Sequence, residues 1–406
     1  MSFTKTSLFH RRERKFTPYF PENELDFALS PDSQSDNQLT IHGQGVLIFK
    51  VANPSKEKIK LVFSNSDASP PENVSIELEV GRLTLRKNEE ILAKEDTIGL
   101  TTHERAFYWL SLDAQNQVVR FGLGEARLET QRFSYFFSPG DKKYLEGLNY
   151  VDFDAQTVQP LRILRDPIQA NVPLKVKNTE ELTMEMVATS AVMPKAHLSS
   201  IAQKLYDTIA GKNFVLNTPD FPDFVEAIEY SIATPGCWCY QKLQMKAGEF
   251  GDKNPKKVYL RITLGQNGGE SPGIPFVMEI WPAGCYSPIH NHAGANAVIR
   301  VLHGQINVTL FPYLGTEEAF GEKTFSEGDI TWISPTLNQF HKLENKNESG
   351  PTCITIQCYM YDEDDHGHYD YFDYINDHDE ISQYEPDSDM DFLAFKAQIR
   401  KEWIEK

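Results

Sequence analysis

Apolar and polar positions follow different rhythms in different parts of this chain. In "VSIELEV" (74–80) they alternate, which places Val74, Ile76, Leu78 and Val80 on one face of a half-buried strand. "GVLIFKVA" (45–52) is a more continuous apolar strand, and "AFYWLSLDAQNQVVRFGLG" reads as two strands around the turn "DAQN". Short strands at regular spacing between about 15 and 140 predict a β-sandwich or jelly roll. The rhythm becomes helical further on. In "AHLSSIAQKLYDTIAGK", Leu198, Ile201, Leu205 and Ile209 share one face, and Gly211 can end the helix. In "DFPDFVEAIEYSIATPG", Ile228 and Ile232 lie four apart and "PG" stops the run. From "KKVYLRITLG" onward strands return. "VYLRITL", "PFVMEIW", "NAVIRVL", "QINVTLF", "DITWIS" and "CITIQCYMY" are separated by Gly, Pro and Asn turns, as in a closed or nearly closed antiparallel barrel.

The expected class is therefore mainly β, with an N-terminal sandwich (1–150), an extended Pro-dotted linker (151–194) and a C-terminal barrel preceded by two or more helices (195–406). The length, 406 residues, suits two domains. The net charge of -18 argues against nucleic acid as a partner, which requires a basic face to displace counterions. Much of the acid falls late, in "YDEDDHGHYDYFDY" and "NDHDEISQYEPDSDMD", and reads as a solvated loop and tail. Five scattered cysteines fit a reducing compartment better than a disulfide framework. "MSFTKTSLFHRRERKF" has no apolar core of a secretory signal, and no run of about 18 apolar residues predicts a membrane span, so a cytoplasmic location is expected.

The chemistry concentrates in "SPIHNHAGANAVIRVLHG" (287–304). On a strand, residues two apart project to the same side, so His290 and His292 can both point into a barrel, where imidazole suits borderline metals. A lone His-x-His is weak evidence, because two surface histidines on a strand would read the same way. Here Gly284 precedes His290 by six, Gly304 follows His292 by twelve, and Gly328, Pro335, His341 and Asn345 come later. That register is similar to the cupin pattern, with His341 as the third ligand. Where cupins usually carry a glutamate ligand this chain has Ala297. A three-histidine site without a protein anion keeps the full charge of a divalent ion and leaves positions for a chelating substrate and O2.

The stretches "SIATPGCWCYQKL", "KVYLRITLG", "SPIHNHAGANAVIRVLHGQINVTLF", "FHKLEN" and "TIQCYMY" together resemble cysteine dioxygenase, the thiol dioxygenase branch of the cupins, across about 195–375. The resemblance implies Fe(2+) on His290, His292 and His341, and a small-molecule thiol and O2 as reactants. It implies a carboxylate-binding role for Arg261, with Tyr259 beside it, and an active-site phenol at Tyr359, with Tyr361 as its competitor. Relatives acting on 3-mercaptopropionate usually carry glutamine at the arginine position, so Arg261 leans toward L-cysteine, oxidised to cysteine sulfinic acid. Another small thiol, such as 3-mercaptopropionate or cysteamine, or a non-catalytic metal-binding cupin, are the alternatives. Two departures stand out. Ala297 replaces the cysteine that crosslinks to the tyrosine in some relatives, and the family's Ser-His-Tyr row becomes Thr355, Gln357 and Tyr359. His366 and His368 form a second His-x-His in an acidic setting and read as solvated loop. The pairing of "FYWLSLD" with "VVRFGLGEARL" resembles a farnesoic-acid-methyltransferase-type sandwich module. Two roles are open for that module: binding carbohydrate or protein, or packing on the barrel as a structural partner.

Overall fold

In a computed structural model, the described residues are 37–65, 68, 71–265, 275–361 and 371–406. Two five-stranded sheets form the first half. One runs in the order Val158–Leu164, Gln44–Val51, Tyr108–Asp113, Val118–Leu123, Gln131–Phe136. The other runs Glu90–Glu95, Arg82–Lys87, Glu72–Glu79, Ile59–Asn65, Tyr150–Phe153. The alternation seen in the sequence holds for Val74, Ile76 and Leu78, all buried. Val80 does not join them: the strand ends at Glu79, Gly81 turns the chain at φ +64°, and Val80 is 44% exposed. The "DAQN" hairpin forms with Asp113 opposite Val118, and the Asp113 carboxylate accepts from Asn116 N at 3.0 Å. The stretch 151–194, expected as a linker, gives strands to both halves: Val158–Leu164 here and Lys175–Lys177 beyond.

The second half closes an eight-stranded sheet around a three-stranded one. The larger sheet centres on Ile330–Ile333, Asn296–His303, Cys353–Met360, Phe276–Trp281 and Leu260–Leu264, in that order. The smaller comprises Gly321–Ser326, Gln305–Leu310 and His341–Glu344. The Asn296–His303 strand passes from one to the other through Gly304, at φ +71°, where a Cβ would meet Thr352 O at 2.7 Å. Apolar residues from both sheets fill the space between, among them Trp281, Ala297, Val308, Phe325 and Leu343. Helices cover the outside of the larger sheet. Ser200–Ile209 is capped by the Ser199 hydroxyl, which accepts from Ala202 N at 3.2 Å, and buries Ile201, Leu205 and Ile209 as its periodicity predicts. Phe224–Ala233 follows. Trp238–Lys246 is a third helix ahead of the barrel strands, and Phe392–Ile404, in the stretch expected as an acidic tail, is one the sequence pattern did not suggest.

The acidic end of the chain is not a solvated tail. Phe372–Ile375 and Ile381–Tyr384 pair as a hairpin whose Phe372, Tyr374 and Tyr384 are buried, and Phe395 and Ile399 of the last helix are fully buried against Phe224 and Ile228. Alternation carries this: in "FDYI" Phe372 and Tyr374 fall on one face and Asp373 on the other. His366 and His368 lie outside the described residues. Among the described residues no helix is long and apolar enough to cross a membrane.

Candidate metal centre

His290 and His341 face each other in an isolated antiparallel bridge: His341 opens the His341–Glu344 strand, whereas 287–295 forms no strand, so the strand expected beneath His290 and His292 is not there. Each backbone N–H donates to the other's carbonyl, at 3.0 and 3.1 Å. His292 projects from two residues further along the same stretch as His290. The rings converge with centroids 4.6 to 5.0 Å apart, and one nitrogen from each lies within 4.8 Å of the others. All three residues are buried.

Hydrogen bonds orient the rings. Nδ1 of His290 bonds Pro288 O at 3.0 Å, and Nδ1 of His341 bonds Asn338 O at 2.9 Å. A carbonyl only accepts, so both rings carry their proton on Nδ1 and turn an Nε2 lone pair inward. His292 Nε2 lies 3.1 Å from His341 Nε2, and its Nδ1 has no partner among the described residues. Burial is the main cause holding His290 down to about 3 and His341 to about 4; it also holds His292 well below the usual imidazole range. Near neutral pH these are three uncharged donors. Nitrogens about 2.1 Å from a shared cation in adjacent positions lie about 3 Å apart, which matches the His292–His341 separation. The donor set fits a divalent transition metal.

The surroundings bring other expected residues close. Tyr359 stacks on His292 with centroids 5.4 Å apart, and Ala297 is its direct cross-strand partner. The methyl of Ala297 therefore lies on the same side of the sheet as the Tyr359 ring. Thr355, Gln357 and Tyr359 share the inner face of their strand. Tyr359 Oη donates to Gln357 Oε1, and Gln357 Nε2 donates to Glu279 Oε2. Glu279 Oε1 accepts from the Arg261 guanidinium at 2.6 Å. Strand pairing sets this contact, since Arg261 and Glu279 are register partners. Burial pushes the Glu279 carboxyl up, and Arg261 opposes that rise. Arg261 was expected to grip a substrate carboxylate; here its charge is matched by a carboxylate of the chain itself. Its field still reaches His290 and His292. Tyr361 packs at the margin of the barrel core.

Several residues at the site carry no sequence motif. Glu279 is one. The hairpin supplies others: Phe372 stands edge-on to His292 at 4.3 Å, and Ile375 N and Asn291 N bond across to Ile289 O and Asp373 O. A small pocket opens beside His290, walled by Phe250, Tyr259, Phe372, Tyr374 and Tyr384. Tyr259 is stacked on Trp281 at 4.1 Å. The Tyr384 hydroxyl is buried and has no hydrogen-bond partner among the described residues. The aromatic alternation of 372–384 was the available signal for this wall.

No family model matches the chain. Among solved structures, it is similar to the cupin domain of Schizosaccharomyces pombe Cnp3, at 12% identity and TM-score 0.21, over 26% of this chain and 65% of that one. It is similar to the cupin domain of an XRE-family transcriptional regulator from Enterobacter cloacae, at 12% identity and TM-score 0.21, over 26% of this chain and 98% of that one. It is also similar to oxalate oxidase in complex with the substrate analogue glycolate, at 15% identity and TM-score 0.21, over 26% of this chain and 52% of that one. The match thus spans under two thirds of the Cnp3 domain and about half of the oxidase.

Proposed function

We propose that this protein is a cytoplasmic non-haem iron(II) thiol dioxygenase that converts L-cysteine and O2 to cysteine sulfinic acid, with both oxygen atoms added to sulfur. The observation that carries the reading is the site's composition: three buried, uncharged imidazoles, with alanine at the position opposite Tyr359 and no further His, Cys, Asp or Glu grouped with them among the described residues. Bound Fe(II) would supply a Lewis acid that favours thiolate over thiol and a redox-active centre for O2. The chain's residues do the rest. Backbone carbonyls at Pro288 and Asn338 keep the Nε2 lone pairs of His290 and His341 aimed at one point. The Tyr359 hydroxyl, which donates to Gln357 here and whose ring stacks on His292, would turn to donate a hydrogen bond to substrate sulfur or oxygen. Phe372, Tyr374 and Tyr384 keep bulk water off the thiol. Arg261 recognises the substrate carboxylate by exchanging Glu279 for it.

A specific observation favours a second reading, oxidation of a small thiol without a carboxylate, such as cysteamine. In the buried Arg261–Glu279 pair the positive charge already has its counterion. A carboxylate must displace Glu279, whereas an amine need not. The N-terminal sandwich is read as a structural partner, because Phe311, Tyr313, Leu314 and Phe340 of the second half share one core with it.

The test is anaerobic loading with Fe(II), followed by cysteine or cysteamine in an oxygen electrode and mass spectrometry of the product. Oxygen uptake matched by a two-oxygen mass gain is expected. Metal binding with no uptake and no oxidised product for either thiol would leave a non-catalytic metal-binding protein.

A further inference from the structure

The loop after the Val118–Leu123 strand of the sandwich, "GEAR" (124–127), is driven against the barrel. Gly124 has φ +85°, and a Cβ there would lie 2.0 Å from Pro312 O, so only glycine permits this approach. It delivers Glu125 and Arg127, both 2% exposed, to the turn that precedes His341. Glu125 Oε2 accepts from Asn338 N at 2.9 Å and Oε1 accepts from Gln339 N at 2.9 Å. Arg127 donates to Asn338 Oδ1 at 2.8 Å and to Val172 O at 2.6 Å.

One peptide unit joins these contacts to the metal site. The group between Asn338 and Gln339 presents its N–H to Glu125 and its C=O to His341 Nδ1, at 2.9 Å each. A hydrogen bond to a carboxylate is stronger than one to a neutral acceptor, and it polarises the amide so that its carbonyl accepts more strongly. The His341 imidazole then becomes a better donor at Nε2. Metal-bound histidines are commonly oriented by a carboxylate or a backbone carbonyl at the other nitrogen. Here a carboxylate acts through a carbonyl. The turn also needs holding, because Asn338 sits at φ +62°, a conformation costly for a residue with a side chain. Gln339 extends the same clamp to a second ligand. Its Nε2 donates to Ser334 O at 2.6 Å and Ala295 O at 3.0 Å, and its Oε1 faces His292 N at 3.4 Å.

We propose that Glu125 of the sandwich is a positioning residue for the metal centre, setting the orientation and donor strength of His341 through the Asn338–Gln339 peptide. The inference rests on the reading that His290, His292 and His341 hold a divalent metal. The sandwich then completes the site itself, and a barrel lacking it would carry a misaligned third ligand.

The test uses the full chain and Co(II) alone, read by its visible absorption, with no substrate and no turnover. Wild type, Glu125→Gln, Glu125→Asp and Leu85→Ala are compared, the last being a buried sandwich residue away from the loop. Glu125→Gln should weaken Co(II) binding by about 10- to 100-fold and shift the cobalt spectrum. Glu125→Asp, which keeps the charge, should recover part of the loss. Leu85→Ala should lower the melting temperature yet leave affinity and spectrum unchanged. Wild-type affinity and spectrum in Glu125→Gln would overturn the proposal. If that variant does not fold, Glu125→Asp decides: an affinity equal to wild type overturns the proposal, and a several-fold loss at unchanged apo melting temperature supports it. If the wild type binds no Co(II), the metal reading fails and takes the proposal with it, an outcome distinct from a silent Glu125 substitution.

Discussion

A buried guanidinium facing a buried carboxylate makes opposite demands on stability and recognition. Arg261 and Glu279 are each under 5% exposed, and the pair is closed at 2.6 Å. Removing one partner leaves the other charge uncompensated in a low-dielectric interior, which costs about 3–5 kcal/mol. Arg261→Gln is therefore expected to lower the melting temperature sharply, and the Arg261→Gln/Glu279→Gln double variant to regain part of the loss, a coupling that a double-mutant cycle measures. Glu279→Gln alone releases the guanidinium from its internal anion. If Arg261 reaches the substrate, that variant should raise the preference for cysteine over cysteamine several-fold, measured as the ratio of kcat/KM values. An unchanged ratio would mean that Arg261 serves the fold alone.

At the scale of elements, the hairpin over the site shows what a sequence does and does not reveal. His290 and His292 were legible as a His-x-His pair, although they lie on a bridge and an irregular segment rather than on the strand that the spacing suggested. His341 followed from the resemblance to the cupin register, in which Gly304, Gly328 and Asn345 mark its place. Arg261 was legible only through the family resemblance, and its partner was not, because a register contact between Arg261 and Glu279 has no local signature. The helix Ser200–Ile209 announced itself by its apolar face, whereas Trp238–Lys246 buries Cys239 and Leu243 without a clear stripe. The hairpin was hidden by its charge: acidic residues flank it, yet every second position packs inward. It leaves the Tyr384 hydroxyl buried beside His290 with no hydrogen-bond partner among the described residues. Such a group costs about 1–3 kcal/mol. Tyr384→Phe should thus raise the melting temperature of the metal-free protein, opposite to the usual sign for a core substitution. If the hydroxyl meets the substrate, the same change should raise KM for the thiol with little effect on metal affinity. A stabilised variant with unaltered KM would exclude it from recognition.

The two halves of the molecule share more than a boundary. Phe107 packs on Phe340 with centroids 6.1 Å apart, directly before His341, and Phe311, Tyr313, Leu314 and Ile375 belong to the same apolar cluster as Phe49, Phe63 and Trp109 of the sandwich. Arg105 of the sandwich reaches the hairpin at Asp379, 3.4 Å away. Phe340 and Ile289, each next to a histidine, pack in that apolar cluster and tie the sandwich to both segments that bear the histidines, so free energy released at the metal site is expected to reach the sandwich. A ligand that binds only the folded state stabilises it by about 2.7 kcal/mol when present at 100 times its Kd. Two independent domains would melt separately, and metal would move only one of the two transitions. A shared core instead couples them. Calorimetry of the full chain is expected to give one transition, and saturating Co(II) should raise all of it by a few degrees. Trp109, buried in the sandwich and bonded through Nε1 to Thr130 Oγ1 at 3.0 Å, provides a local check. Its environment, followed by near-ultraviolet circular dichroism, should be lost at the same temperature as the cobalt absorption. A sandwich signal that melts early and ignores the metal would show that the halves are energetically separate, and the packing of Phe107 on Phe340 would then be contact without coupling.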